Sequence, residues 1–129
     1  MKILTVKQLA IQEIRVIRFA RFCDQRGYFT EHFRQSDFQT NPLTPFMEGV
    51  EFVQTNESFS RAQTVRGLHF QWDPYMGKLV RTLHGHMVDL ILDIRKGSPS
   101  FGKAIAALAA SGQADRRDCT RADQQMAAR

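Results

Sequence analysis

The chain has 129 residues, a formal net charge of +5 and 43% hydrophobic residues, which is typical of one globular domain and excludes a disordered chain. No apolar run is long enough to cross a bilayer, and the first residues lack the apolar core and small-residue cleavage site of a signal peptide. The basic residues are spread along the sequence rather than gathered in a block. We therefore expect a cytoplasmic protein that binds neither membranes nor nucleic acid, although a few basic side chains suffice to hold a small anion such as a diphosphate.

Cysteine usage agrees with that compartment. Cys23 and Cys119 stand far apart and form no short metal-binding or redox motif. The sequence therefore predicts two free thiols in a reducing environment.

Alternation with a period of two dominates the chain and predicts several short strands separated by polar turns. The predicted strands are residues 14–19, 28–33, 50–56, 78–83 and 87–95, with a short helix at residues 36–40 capped by Ser36. Gly, Pro, Asn and Asp mark the turns near residues 24–27, 41–45, 73–77 and 96–99. This pattern predicts an antiparallel sandwich or barrel.

The strongest strand pattern covers residues 87–95. Two carboxylates, Asp89 and Asp93, fall on one face of this strand, and four aliphatic residues fall on the other. Since a shift of one residue would exchange the faces, we expect the carboxylates outside and these residues in the core: Val88, Leu90, Leu92 and Ile94.

The composition changes near the end of the chain. Residues 104–110 begin like a strand and become rich in alanine, and residues 111–129 contain no aromatic residue and no Ile, Leu or Val. Such a segment has little to bury. We therefore predict a partial domain at residues 1–107 and a polar tail at residues 108–129 that is disordered or weakly helical.

The segment from Arg66 to Arg81 holds the residues best suited to chemistry. Histidine is the side chain most often used as a general base, so His69 is suited to that role, and Lys78 is suited to stabilise an oxyanion. Arg66 and Arg81 are suited to hold phosphates. Each residue alone is more typical of an ordinary strand surface, so the residue types by themselves leave both interpretations open.

Five blocks together resemble the dTDP-4-dehydrorhamnose 3,5-epimerase family. Residues 24–33 are similar to its Asp-x-Arg-Gly-x-Phe-x-Glu-x-Phe motif, and residues 66–71 read Arg-Gly-Leu-His-Phe-Gln as its members do. The other blocks are residues 52–58, 77–81 and 89–102. Their order and spacing make the resemblance specific.

This resemblance implies a fold, a reaction and its partners. The fold is a mainly β, cupin-type antiparallel jelly roll, which would be incomplete here at the C-terminal end. The family forms homodimers and uses neither a metal nor an organic cofactor. It acts on a dTDP-linked 4-keto sugar, dTDP-4-dehydro-6-deoxyglucose, by removing a proton next to the C4 ketone and returning one on the opposite face.

The resemblance also implies roles for individual residues. His69 resembles the general base, and Lys78 resembles the group that stabilises the enolate oxygen. The residues that resemble substrate-binding groups are Arg26, Glu31, Gln54, Asn56 and Arg66.

The sequence departs from the family after Gly102. The family's later strands carry a Trp-x-Pro-x-Gly-Phe-Ala-His-Gly block and a Tyr that donates the proton, and neither is present here. The resemblance therefore implies a truncated or frameshifted member with impaired activity. One alternative is a non-catalytic remnant that still binds a nucleotide sugar. A second is a metal-binding cupin that uses His69 with His84 and His86.

Overall fold

Short antiparallel strands make up most of the computed structural model, which describes residues 1–110 and 123–128, the last six by their backbone alone. The elements in chain order are β1 (Ile3–Gln8), β2 (Arg15–Phe19), β3 (Phe22–Asp24), β4 (Gly27–Phe29), α1 (Gln35–Thr40), a 3₁₀ turn (Pro45–Met47), β5 (Lys78–Arg81), β6 (His86–Leu92), β7 (Ala104–Ala110) and β8 (Asp123–Ala128). In this part of the chain no helix has the length and apolar character needed to cross a bilayer.

The strands form three sheets. The largest has the order β1-β2-β8-β5, and β3–β4 and β6–β7 form two further pairs. Every described pairing is antiparallel. This arrangement confirms the predicted mainly β, antiparallel architecture.

The main core lies between β2 and α1. Ile17 and Phe19 point to the same face of β2 because side chains alternate along a strand, and both are buried. Phe38 of α1 packs edge-to-face on Phe19, with ring centroids 6.1 Å apart. The hydroxyl of buried Thr44 donates to the carbonyl oxygen of Phe38 at 2.9 Å, so the polar atoms under the helix are satisfied. Each of these large apolar side chains stabilises the fold by about 1.5–3 kcal/mol through burial.

Two further phenylalanines extend this core toward the middle of the chain. The rings of Phe33 and Phe52 meet edge-to-face at 5.2 Å, and both contact Phe38. Phe52 therefore fixes the start of the segment at residues 50–77. In the structure this segment has neither helix nor strand and is almost entirely exposed.

A smaller core lies beneath the β6–β7 pair. Ile11 and Ile14, in the turn between β1 and β2, are buried against Ile91 of β6 and Ile105 of β7. The turn closes through hydrogen bonds between the backbone of Leu9, Ile11 and Ile14. One face of the β6–β7 pair is thereby attached to the β1–β2 unit.

The predicted orientation of β6 is wrong. Asp89 and Ile91 are half-buried and Asp93 is 4% exposed, whereas the aliphatic residues lie on the exposed face. Their exposed fractions are Val88 61%, Leu90 67%, Leu92 41% and Ile94 47%. Ile91 gives the second face apolar character as well, and alternation alone does not tell which of two apolar faces is covered.

Asp93 tolerates burial because its carboxylate is fully bonded. Arg95 donates from Nε to Oδ1 at 2.9 Å and from Nη2 to Oδ2 at 2.7 Å. The hydroxyls of Ser98 and Ser100 each donate to Oδ2 at 2.6 Å. Arg95 also donates to Glu13 at 2.8 Å, which ties the β6–β7 connection to the β1–β2 turn. The Arg95 guanidinium, assisted by the two hydroxyls, holds the pKa of Asp93 far below its usual range.

Several element boundaries differ from the predictions. The predicted strand at 50–56 is absent from the structure, and the one at 28–33 shortens to β4. Helix α1 is found, but its N-cap is Arg34 and no side chain caps it, so the predicted Ser36 cap is wrong. The sequence reasoning missed β1 and β3, which lie at the edges of their sheets.

The prediction of a disordered or helical tail is wrong for residues 123–128. These residues form β8, which pairs with β2 on one side and with β5 on the other. Backbone hydrogen bonds to two neighbours hold a strand whose composition offers little apolar burial. Residues 111–122 lie outside the described residues. The division at residue 107 stays a prediction, although β7 runs through it to Ala110.

Asp93→Asn should lower the free energy of unfolding by about 2–4 kcal/mol at pH 7, because the amide loses the charge that Arg95 requires. The pKa of Asp93 is lower in the folded chain than in the unfolded chain, where it is about 3.9. The carboxylate therefore stabilises the fold at pH values above about 3.9, and this stabilisation is lost as the pH falls further. Urea unfolding at pH 7 and at pH 3 measures both effects.

Asp89→Asn is the matched control, since Asp89 lies in β6, the strand that ends just before Asp93, and takes no part in the Arg95 network. It should change the unfolding free energy little. Equal losses in the two variants would show that the Asp93 network adds no stability of its own.

Candidate functional site

The β3–β4 turn presents Arg26 to solvent. The backbone N–H of Arg26 donates to Asp24 Oδ1 at 2.8 Å, and its guanidinium donates to Oδ2 at 2.6 Å from Nη2. Gly27, with φ +143°, completes the turn in a conformation that other residues avoid. The Arg26 side chain also lowers the pKa of Asp24. This ion pair is exposed, so a ligand phosphate is able to compete for the guanidinium.

Glu31 lies beside α1 in a small charged cluster. Arg34 donates from Nε to Glu31 Oε1 at 2.8 Å, and the amino-terminal ammonium of Met1 pairs with both Glu31 and Asp37. The ammonium first and Arg34 second hold the pKa of Glu31 below its usual range. The sequence reasoning missed Arg34 and Asp37. Their spacing of three residues, from Glu31 to Arg34 and from Arg34 to Asp37, is the signal that predicts such pairs.

Three predicted ligand-binding residues lie in the exposed segment at residues 50–77. The amide of Gln54 donates to Asn56 Oδ1 at 3.0 Å, so the structure does bring these two together. Arg66 donates from Nη2 to the carbonyl oxygen of Phe59 at 3.0 Å. That bond closes a local loop of the segment and leaves part of the guanidinium open to solvent.

The two predicted catalytic residues are both exposed. His69 lies in the segment at 50–77, and Lys78 begins β5. Within the part of the chain that the structure describes, no hydrogen bond or ion pair joins their side chains to each other or to the other predicted site residues. Their roles stay predictions.

The predicted convergence of the site residues on one face stays a prediction, and no described contact joins Lys78 to Glu31. Leu79 packs on the main core, and Lys78, its neighbour on the strand, therefore points to the opposite face of the sheet. Glu31 shares the Met1 ammonium with Asp37 of α1.

Two other predictions concern sulfur and metals. Cys23 is disulfide-bonded, so the prediction of a free thiol is wrong for this residue. Residues 1–110 and 123–128 supply no group of three His, Cys, Asp or Glu side chains placed to hold a metal. Gly85, with φ +79°, forms the predicted bend between His84 and His86.

The exposure of His69 predicts its reactivity. Diethyl pyrocarbonate should modify His69 about as fast as exposed His84, and faster than His32, whose Nε2 atom is buried. Peptide mapping by mass spectrometry after a short treatment of the native chain measures the order in which the three histidines are modified. Slow modification of His69, matching that of His32, would show that its ring is covered.

Comparison with known proteins places these features in a family. The model of the family described as dTDP-4-dehydrorhamnose 3,5-epimerase matches residues 8–115. A protein of that name from Sinorhizobium fredii is 46% identical over 103 residues, which are 78% of this chain and 50% of the relative. The chain thus spans about half the length of this curated relative.

Solved structures show the same likeness. The Legionella pneumophila dTDP-6-deoxy-D-glucose-3,5-epimerase, in complex with dTDP-4-keto-L-rhamnose, has a TM-score of 0.78 and 30% identity and is aligned over 96% of this chain and 59% of its own. The Bacillus anthracis dTDP-4-dehydrorhamnose 3,5-epimerase with TDP and PPi bound has a TM-score of 0.76 and 31% identity. The alignment covers 97% of this chain and 65% of the Bacillus chain. These matches confirm the predicted cupin-type jelly roll, and this chain covers 59% and 65% of the two solved chains. The chain belongs to the dTDP-4-dehydrorhamnose 3,5-epimerase family.

Proposed function

We propose that this chain performs the proton-removal half of 3,5-epimerisation on dTDP-4-dehydro-6-deoxyglucose, a step in deoxysugar (rhamnose) synthesis, and completes the inversion poorly. The observation that carries the proposal is the family match over residues 8–115, which includes both His69 and Lys78. Neither side chain is engaged by a carboxylate in the described part of the chain. Both therefore remain available to a ligand.

The chemistry follows from the residue types. The C4 carbonyl acidifies the hydrogens on C3 and C5, and neutral His69 takes one of them as a general base. The electron pair of the broken C–H bond moves toward the C4 oxygen, where the ammonium of Lys78 stabilises the enolate. Inversion then requires an acid on the other face of the sugar. The sequence offers no counterpart of the tyrosine that the family resemblance implies.

Ligand binding in this proposal depends on the charged and amide residues near the same segment. Arg26 and Arg66 would bind the diphosphate, since guanidinium groups match phosphate oxygens geometrically. The TDP and PPi in the Bacillus anthracis relative support an anion site in the family. Glu31, Gln54 and Asn56 would contact the sugar and nucleoside. No metal or organic cofactor takes part in the proposed reaction.

A homodimer is part of the same proposal. The segment at 50–77 exposes large apolar side chains that the described residues leave uncovered, among them Val53, Phe59, Val65, Phe70 and Trp72. A second copy that packs on this segment would remove them from water and would bring further groups toward His69. The proposal also includes a cytoplasmic location, where the nucleotide sugar would be supplied.

A non-catalytic binding protein is the second candidate. The exposure of Arg26 and Arg66 favours it, because exposed guanidinium groups can bind a diphosphate without a positioned base. A metal-binding cupin gains no support, since the described residues offer no suitable set of ligands.

Solvent exchange distinguishes catalysis from binding. In heavy water the chain should introduce deuterium at C3 or C5 of dTDP-4-dehydro-6-deoxyglucose while forming little epimerised product. His69→Asn should reduce this exchange by about 10²–10⁴-fold, and His84→Asn, which changes an exposed histidine outside the proposed site, should not. Proton NMR of the sugar follows both exchange and inversion.

Two results would contradict the proposal. Binding of the nucleotide sugar without exchange above the buffer rate would support the non-catalytic candidate. Full epimerisation at an ordinary enzymic rate would show that the chain needs no additional proton donor.

A further inference from the structure

Glu31 is the one carboxylate among the predicted ligand-binding residues, and cations hold both of its oxygens. Arg34 donates from Nε to Oε1 at 2.8 Å and reaches the same oxygen from Nη2 at 2.6 Å. The Met1 ammonium pairs with Oε2 and also with Asp37. The Glu31 side chain is still 28% exposed, so a ligand is able to reach its carboxylate while the cations stay in place.

The backbone around Arg34 is fixed by the core and by α1. Phe33 packs on Phe38 and Phe52, with ring centroids 5.7 and 5.2 Å away. The carbonyl oxygen of Arg34 accepts hydrogen bonds from the N–H groups of Asp37 and Phe38, at the start of the helix. A substitution that changes only the Arg34 side chain therefore leaves these backbone bonds and ring contacts in place.

Electrostatics gives the Arg34 guanidinium a task in the proposed site. A carboxylate repels a nearby diphosphate unless a cation offsets its charge, and the guanidinium of Arg34 supplies such a cation. An ionised carboxylate only accepts hydrogen bonds, so its partner on a nucleotide has to be a hydroxyl or a ring N–H. The Met1 ammonium first and Arg34 second lower the pKa of Glu31, which keeps this side chain an acceptor at neutral pH.

We propose that Arg34 is a positioning residue, whose guanidinium holds the Glu31 carboxylate in place to accept a hydrogen bond from the nucleoside of a bound nucleotide diphosphate. This inference rests on the proposed function, in which Glu31 contacts the ligand. Arg34 acts through Glu31 and not on the reacting atoms. Both of its donors meet at Oε1, so the task requires one cationic group at that oxygen and not a guanidinium that spans both oxygens.

Binding of TDP to single and double variants tests this role. Arg34→Gln should weaken TDP binding about tenfold, because the carboxylate loses the cation that orders it. Arg34→Lys should stay within about threefold of the unmodified chain, since an ammonium also carries the charge to Oε1. Glu31→Gln should weaken binding by a similar amount, and adding Arg34→Gln to it should change the affinity little further. Isothermal titration calorimetry at neutral pH measures each affinity.

Lys96→Gln is the matched control, because it removes one positive charge from an exposed position between β6 and β7. It should leave TDP binding unchanged. The double variant separates positioning from a purely structural role, since a loosened fold would weaken binding whether or not Glu31 is present.

Two kinds of result would overturn the proposal, and they differ in what else they affect. If the unmodified chain does not bind TDP, the nucleotide site of the proposed function fails together with the role of Arg34. If the chain binds TDP, the role of Arg34 alone fails when Arg34→Gln has no more effect than Lys96→Gln. Fully additive losses in the double variant would have the same meaning.

Discussion

An antiparallel sheet whose two faces are both apolar needs a layer on each side, and this requirement governs the molecule. The four-stranded sheet is covered on its apolar face, where Phe38 and its neighbours pack on Ile17 and Phe19, and it exposes Arg18 and Lys78. The β6–β7 pair meets it on one side only, through Ile11 and Ile14. The other face of this pair exposes its aliphatic rows in the described part of the chain.

Strand pairing also bears on how the predicted site residues are positioned. Strands position catalytic groups well when neighbouring strands fix their register. In this chain the segment at 50–77 carries four of the predicted site residues, yet it pairs with no strand in the described part of the chain. Gln54 meets Asn56 and Arg66 closes on Phe59, both through local contacts. The contacts described for these residues are local, and their roles in a common site stay a prediction.

Local sequence signals predicted the parts of the fold that local contacts determine. The period-two patterns of β2 and β6 and the Asp24–Gly27 turn follow from alternation and turn chemistry, which neighbouring residues specify. The family resemblance supplied the fold class and the candidate residues. The orientation of β6 was missed because Ile91 and Leu90 make both of its faces apolar, and only tertiary contact with Ile11 decides between them.

Other features depended on contacts that strand alternation and composition do not describe. Residues 123–128 have the composition of a solvated tail, but β2 and β5 hold them through the backbone, which composition does not reveal. Burial of Asp93 depended on Arg95 and two serines beyond the strand. A carboxylate can be buried when an ion pair and hydrogen bonds compensate for its loss of water.

Native-state hydrogen exchange tests the central claim that the two sheets differ in how completely they are covered. Amides of β2, which lie between β1 and β8 with a covered core face, should exchange only through global unfolding. Amides of β6 should exchange faster, through local opening of the β6–β7 pair, with a smaller dependence on denaturant. Exchange of β6 as slow as that of β2, with the same denaturant dependence, would contradict the account.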